Sequence, residues 1–361
     1  MSRRIKFAIA SVLLAAVGTT LLAGDFLMPR WLCRGGEWDG PVTDHFDGTF
    51  FYNPEPSVLY KSSNLLQWLR DRHKKGEYPT VPQNSHQPEL AASVAGKAWE
   101  VTMVNHSTML IRTAGLNILT DPVWSDYTSP VQGFGPKRCR PAGITWDKLP
   151  RIDICLISHD HYDHFDADTV KKLAEEHNPL FIVPLGLGGL VKYHVEEARV
   201  IEADWWESVQ HGDLRITLTP AKHWSNRYRK TYTRNRSLWC GFYLSSIGGP
   251  AIYFAGDSAK STCFSRIRER LGKPDLALIP IGAYKPEWIR NGHISPAEAV
   301  EAFMQLGARQ AIACHFGTWQ LANEGYQETI DDLTTALQQS GIPADRFIAP
   351  QNGQTISSSN N

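Results

Sequence analysis

From Trp99 onward the apolar positions come in short runs separated by turn residues, a rhythm of strands rather than of long helices. Residues 101–104 and 109–111 predict the arms of a hairpin, followed by a strand over 117–120. The run 152–157 predicts a strand with a buried centre. Further strands are predicted over 181–183, 215–218, 239–243, 251–254, 276–279 and 310–314. Helical spacing takes over in three places. Val170, Leu173 and Ala174 recur at three- and four-residue steps after a cap at Asp166 or Asp168, and Pro179 stops that helix. Ala299, Val300, Phe303 and Leu306 share one face of a helix opened by a Ser295/Glu298 capping box with Pro296 in its first turn. A last helix covers about 327–339 and ends before Gly341. Early hairpins followed by strands alternating with helices predict sheets covered by helices.

Two segments precede this pattern. Residues 25–95 are rich in Pro, Asn, Ser and His, with one helical stretch around 65–69, and are expected to form an extension packed on the core. At the start, Arg3, Arg4 and Lys6 precede an apolar run from Phe7 to Ala23. A basic flank followed by such a run is a membrane-addressing signal, and small residues suited to cleavage are poorly placed, so residues 1–24 are expected to be a retained signal anchor rather than a removed signal peptide. The basic flank stays inside, which predicts a membrane-associated protein with an exported catalytic domain, periplasmic if the source is bacterial. The expected division is therefore 1–24, 25–95 and a domain over 96–356, with residues 357–361 as a frayed tail.

The composition narrows the classes. With 42% hydrophobic and 20% charged residues over 361 positions, the chain is neither disordered nor a coiled coil. Lys and Arg number 37 against 37 Asp and Glu, so no basic field exists to grip nucleic acid. The six cysteines form no Cys-x-x-Cys pair, which excludes a thiolate zinc finger; Cys155, Cys240 and Cys314 sit in apolar runs and read as core. The sequence leaves the oligomeric state open, a homodimer included.

The chemistry concentrates in Ser158-His159-Asp160-His161-Tyr162-Asp163-His164, a loop between a buried strand and a capped helix. His159 and His161 are two apart and point to one side of an extended segment. Asp163 and His164 reach a second point nearby. Imidazole and carboxylate without thiolate suit zinc, with iron or manganese possible. Three more candidates follow predicted strands in the same manner: His223, Asp257 after Gly256, and His315. His45, His73, His86, His177, His194 and His211 lack this context and read as surface or loop residues.

At these residues the chain resembles the metallo-β-lactamase superfamily, whose His-x-His-x-Asp-His loop is matched by residues 159–164. It most resembles the branch that contains N-acylphosphatidylethanolamine-hydrolysing phospholipase D. The likeness runs from about Trp99 to the last helix. It includes Asn105-His106-Ser107-Thr108, Asp121-Pro122-Val123, Gly135-Pro136-Lys137-Arg138, residues 220–224, 254–257 and 279–284, and His315-Phe316-Gly317-Thr318. The resemblance implies an αββα four-layer α/β sandwich with a binuclear zinc site on one edge. It implies His159, His161 and His223 on one metal, Asp163, His164 and His315 on the other, and Asp257 bridging. It places His293 near the substrate, with Gly292 before it where the phospholipase itself is expected to carry glutamine. Tyr162 matches the aromatic residue within the loop.

The implied reaction is zinc-dependent hydrolysis of a phosphodiester in an N-acylphosphatidylethanolamine-like phospholipid, with two cations activating a bridging water. Asp163 and Asp257 are the expected proton carriers. His293, then Tyr162 or Lys222, would stabilise the oxyanion or protonate the leaving group, and His106 would support a ligand from behind. Trp224, Trp288, Trp319, Tyr127, Phe134 and Tyr284 are candidates for an aromatic wall that suits a phospholipid or another amphiphile, and a membrane surface is an expected partner. The alternatives are hydrolysis of another ester, lactone, β-lactam or cyclic phosphate by the same fold, and a non-catalytic protein holding metal for structure.

Overall fold

The computed structural model describes residues 34–55, 75–90, 93–227 and 233–358. Its strands are β1 (Trp99–Asn105), β2 (Thr108–Thr113), β3 (Leu116–Thr120), β4 (Ile154–Leu156), β5 (Leu180–Pro184), β6 (Val200–Ala203), β7 (Ser208–His211), β8 (Leu214–Thr219), β9 (Gly241–Ser246), β10 (Ile252–Phe254), β11 (Leu276–Pro280), β12 (Gln310–Cys314), β13 (Phe347–Ile348) and β14 (Thr355–Ser357). Its α-helices are α1 (Ala167–Glu176), α2 (Gly188–His194), α3 (Cys263–Leu271), α4 (Pro296–Leu306) and α5 (Tyr326–Gln339). One sheet runs β14-β1-β2-β3-β4-β5-β6 and the other β13-β12-β11-β10-β9-β8-β7.

Strict alternation on short apolar strands builds the layers. On β4, Ile154 and Leu156 join the core between the sheets, whereas Cys155 turns to the opposite face; on β5, Ile182 and Phe181 divide the same way. That outer face meets Val170 and Leu173 of α1 and Leu190 and Val191 of α2. Phe264 and Ile267 of α3, Val300, Phe303 and Leu306 of α4 and Leu333 of α5 pack on the second sheet. The result is an αββα sandwich with sheets buried on both faces. The Ser295/Glu298 capping box forms, and Gly307 closes α4 at φ 64.

Several expectations are corrected. β6, β7, β13 and β14 and helices α2 and α3 were not expected, because their runs are short, polar or both, as in Ser208–His211. The strand predicted over 239–243 lies instead at Gly241–Ser246. Ser357 pairs with Glu100 in β14 instead of fraying. The helical stretch around 65–69 and the anchor over 1–24 lie outside the described residues. Among the described residues no helix is long and apolar enough to cross a membrane, so the membrane-associated, exported localisation is withdrawn: no anchor is shown.

Residues 34–55 lie against the core. Phe46 and Phe51 are fully buried in it, and Phe51 N donates to Asn235 O at 2.8 Å. His45, expected at the surface, is instead buried: it stacks on Trp205 and lies 2.6 Å from Asp44 Oδ1 and 2.8 Å from Asp204 Oδ1. Burial disfavours its charge, but the two carboxylates outweigh that and raise its pKa.

Candidate metal centre

Strand direction gathers the chemistry. β3, β4 and β5 are parallel, as are β10 to β13, and β8 and β10 both run antiparallel to β9. The segments that follow β4, β8, β10 and β12 therefore emerge on one rim of the sandwich. Gly256, before Asp257, has φ +59, and a Cβ there would come within 2.7 Å of Cys240 O and 2.8 Å of Ser158 Cβ. Only glycine lets that strand end approach the 158–164 loop so closely. His106, Asp121 and His315 also carry positive φ, a strain that concentrates at this rim.

The structure brings all seven expected ligands together. His161 Nδ1 lies 2.8 Å from His159 Nε2 and 3.2 Å from His223 Nε2. Asp163 Oδ2 lies 3.4 Å from His164 Nε2 and 3.3 Å from His315 Nε2. Asp257 Oδ2 stands between the two groups, 3.2 Å from His164 Nε2, 3.0 Å from His315 Nε2 and 3.6 Å from His223 Nε2. His293 Nδ1 is 3.7 Å from the same oxygen.

The far side of three of the rings is held. His164 Nδ1 donates to Asp121 Oδ2 at 2.6 Å and His223 Nδ1 to Gly292 O at 2.7 Å, while His159 Nδ1 lies 2.9 Å from Ser158 Oγ. Asp121 in turn accepts from the Ser158 amide and hydroxyl, each at 2.7 Å. These bonds occupy the Nδ1 side and turn the Nε2 atoms of His159, His164 and His223 inward. His106 Nε2 lies 3.2 Å from Asp163 Oδ2, consistent with its expected supporting place.

Burial lowers the imidazolium pKa of His161 and His223 to about 3 and holds His159 and His293 well below the ordinary value. Burial also works against charge on His164 and His315, but carboxylates win there. Asp257, Asp163 and Asp121 hold His164 well above its usual value, and Asp257 and Asp163 push His315 up to about 9. For Asp163 and Asp257, burial favours the neutral acid, but the neighbouring histidines outweigh it and keep both ionised.

A cation fits this set. His164 Nε2, His315 Nε2, His293 Nδ1 and both carboxylate oxygens of Asp257 are buried without a properly aligned hydrogen-bond partner. Leaving so many buried polar atoms unsatisfied is costly, and divalent cations among them would remove that cost. Every donor is imidazole or carboxylate, which suits zinc, iron or manganese.

Other expected residues divide. Trp224 reaches the cluster, with ring centroids 4.3 Å from His223, 5.1 Å from His161 and 5.6 Å from His293. Tyr162 carries the Arg227 guanidinium 4.0 Å from its ring centroid, and Arg227 also donates to Asp160 O and Phe165 O, bracing the loop. Tyr284 is corrected: it is buried, and its hydroxyl donates to Asp332 Oδ2 on α5 at 2.7 Å, so its polar end is spent on the helix. Trp319 is also core, 2% exposed beneath Arg138. Trp288 and Tyr127 are half-buried, and Phe134 is exposed. Asp121, Ser158 and Asn53, whose Nδ2 donates to His223 O at 2.9 Å, were not singled out as site residues. Asp121 follows β3 just as Asp257 follows β10, so the same strand-then-acid pattern could have found it.

Two seven-stranded sheets between helices, with this cluster on their common rim, define a metal-dependent hydrolase of the metallo-β-lactamase fold. The chain belongs to the β-lactamase superfamily: the family described as "Beta-lactamase superfamily domain" matches residues 116–316. An uncharacterised protein of Mycobacterium tuberculosis is 34% identical, over 82% of this chain and 80% of its own length. The mitochondrial N-acyl-phosphatidylethanolamine-hydrolysing phospholipase D of Saccharomyces cerevisiae is 38% identical, over 67% of this chain and 52% of its own length, which places the chain's likeness in the phospholipase D-like branch. The solved structure of a metallo hydrolase from Ignicoccus hospitalis matches with a TM-score of 0.53 at 19% identity, over 73% of this chain and all of that one, and supports the fold.

Proposed function

We propose that the chain, through residues 96–356, is a zinc-dependent phosphodiesterase acting on N-acylphosphatidylethanolamine-like phospholipids. The observation that carries this reading is the convergence of the seven ligand side chains into one cluster, with Asp257 Oδ2 near His164, His223 and His315, in a chain similar to a phospholipase of that name. One cation would be held by His159, His161 and His223, a second by Asp163, His164 and His315, with Asp257 shared. When bound, two such ions supply Lewis-acid charge and lower the pKa of a water from 15.7 toward neutrality.

The chain's own groups would do the rest. Asp163 and Asp257, ionised in place, accept the proton that the attacking water gives up. His293 meets the substrate as a neutral imidazole, because burial opposes its charge, and a neutral ring still donates one N–H to a phosphoryl or leaving-group oxygen. Trp224 offers a flat apolar wall beside it. Cleavage of the phosphorus–oxygen bond to the headgroup, with one water consumed, releases phosphatidic acid and the N-acylethanolamine.

The test is product analysis by mass spectrometry with purified, zinc-loaded protein. N-acylphosphatidylethanolamine in mixed micelles should yield both products, and Asp163→Asn should lower the rate by about 10²–10³-fold. Turnover of a lactone or bis-p-nitrophenyl phosphate without turnover of the lipid would reassign the enzyme to another bond.

A further inference from the structure

Gly292 cannot be explained by its backbone. Its φ of −132° and ψ of −3° suit any residue, yet an added Cβ would fall 1.8 Å from Trp224 Cζ3, 2.5 Å from Cε3 and 2.9 Å from Cη2. The neighbour that forbids a side chain is thus the benzo edge of one indole. Neither partner can retreat easily. The Gly292 carbonyl accepts the His223 Nδ1 bond, and its amide donates to Ile289 O at 3.2 Å. The indole is tilted 30° over the His223 ring and perpendicular to the His293 ring. Trp224 is nevertheless half-buried, so part of this wall meets solvent beside half-buried His161 and Asp163.

We propose that Trp224 and Gly292 form a matched pair that sets the width of the substrate channel beside His293. The indole fills the volume that a side chain at 292 would take, and the glycine is what admits it. A group lying next to His293 must therefore be narrow and flat, as the unbranched amide arm of an N-acylethanolamine is, and a branch on that arm meets the indole. This direction of selectivity rests on the phospholipid reading above; the packing of the pair does not.

A double-mutant cycle separates the two. Gly292→Ala should lower Tm by at least about 4 °C in the presence of Trp224, because a rigid ring is overpacked, and by under about 1 °C in the W224A background. The near-UV circular dichroism that W224A removes should also change in G292A, with metal content and far-UV signal kept. Trp224→Leu replaces W224A if that variant does not fold. Equal Tm losses in both backgrounds would overturn the pairing. For selectivity, N-acylphosphatidylethanolamine is compared with an analogue carrying one methyl branch on the ethanolamine. Wild type should prefer the unbranched lipid by about 10–200-fold in kcat/KM, and W224A should cut that preference at least about tenfold. An unchanged preference in W224A overturns the gate. If wild type hydrolyses neither lipid, the phospholipid reading and the gate fall together, and the thermal cycle decides the pair alone.

Discussion

Asp257→Asn is expected to abolish turnover, lowering kcat/KM by about 10³-fold or more even with zinc in excess. Its carboxylate is the one that lies within 3.6 Å of ring nitrogens from both proposed ligand groups. An amide keeps the shape and loses the charge, so the two halves of the cluster no longer share an anion. Both Asp257 oxygens are buried without a properly aligned hydrogen-bond partner, so the amide of the variant would be buried unsatisfied. The protein should also retain fewer metal equivalents after gel filtration. Steady-state kinetics and elemental analysis of the same sample check both, and a loss smaller than about tenfold with metal content intact would remove Asp257 from the centre.

Removing the metal with a chelator should eliminate activity and leave a protein whose histidine-linked stability is greatest near pH 6.5. The sign follows from the two kinds of histidine. His159, His161, His223 and His293, with His106 at about 4, have lowered pKa values when folded. Below pH 6.5 the unfolded chain therefore binds more protons at these rings than the folded one, and stability falls as pH falls. His164 and His315 are raised, His315 to about 9. Their contribution is fully present below pH 6.5 and is lost as pH rises through the folded values. In the loaded protein the ligands are neutral imidazoles and the second loss disappears. Melting temperatures from pH 5 to pH 9, with and without chelator, should diverge increasingly above pH 6.5. Parallel curves over that upper range would contradict the assignment of His164 and His315 to the cation site.

The chemistry of the rim was more legible in the sequence than its scaffold. His159, His161, Asp163 and His164 lie within six residues, and His223, Asp257 and His315 each follow an apolar strand, so a local pattern announces them. The bonds that aim these rings are not local. Asp121 reaches His164 across 43 positions, and the Gly292 carbonyl reaches His223 across 69. Only the fold closes such distances. The same limit explains His45, which reads as a loop residue until Asp204 and Trp205 are placed against it. Tyr284 shows the opposite error. It follows β11 on the same rim, but its hydroxyl turns to Asp332, and side-chain direction after a strand end is not written in spacing. Edge strands such as β7 escape because one face is solvated and their residues are polar. Gly292 was visible as a departure from the phospholipase pattern, but its reason, the indole of Trp224, appears only in three dimensions.

Anomalous diffraction from crystals grown with zinc tests the central claim most directly. Two peaks about 3.5–4 Å apart are predicted, one among His159 Nε2, His161 Nδ1 and His223 Nε2, the other among Asp163, His164 and His315, with Asp257 Oδ2 between them. Absence of any peak within bonding distance of these seven side chains, in protein that turns over substrate, would contradict the account.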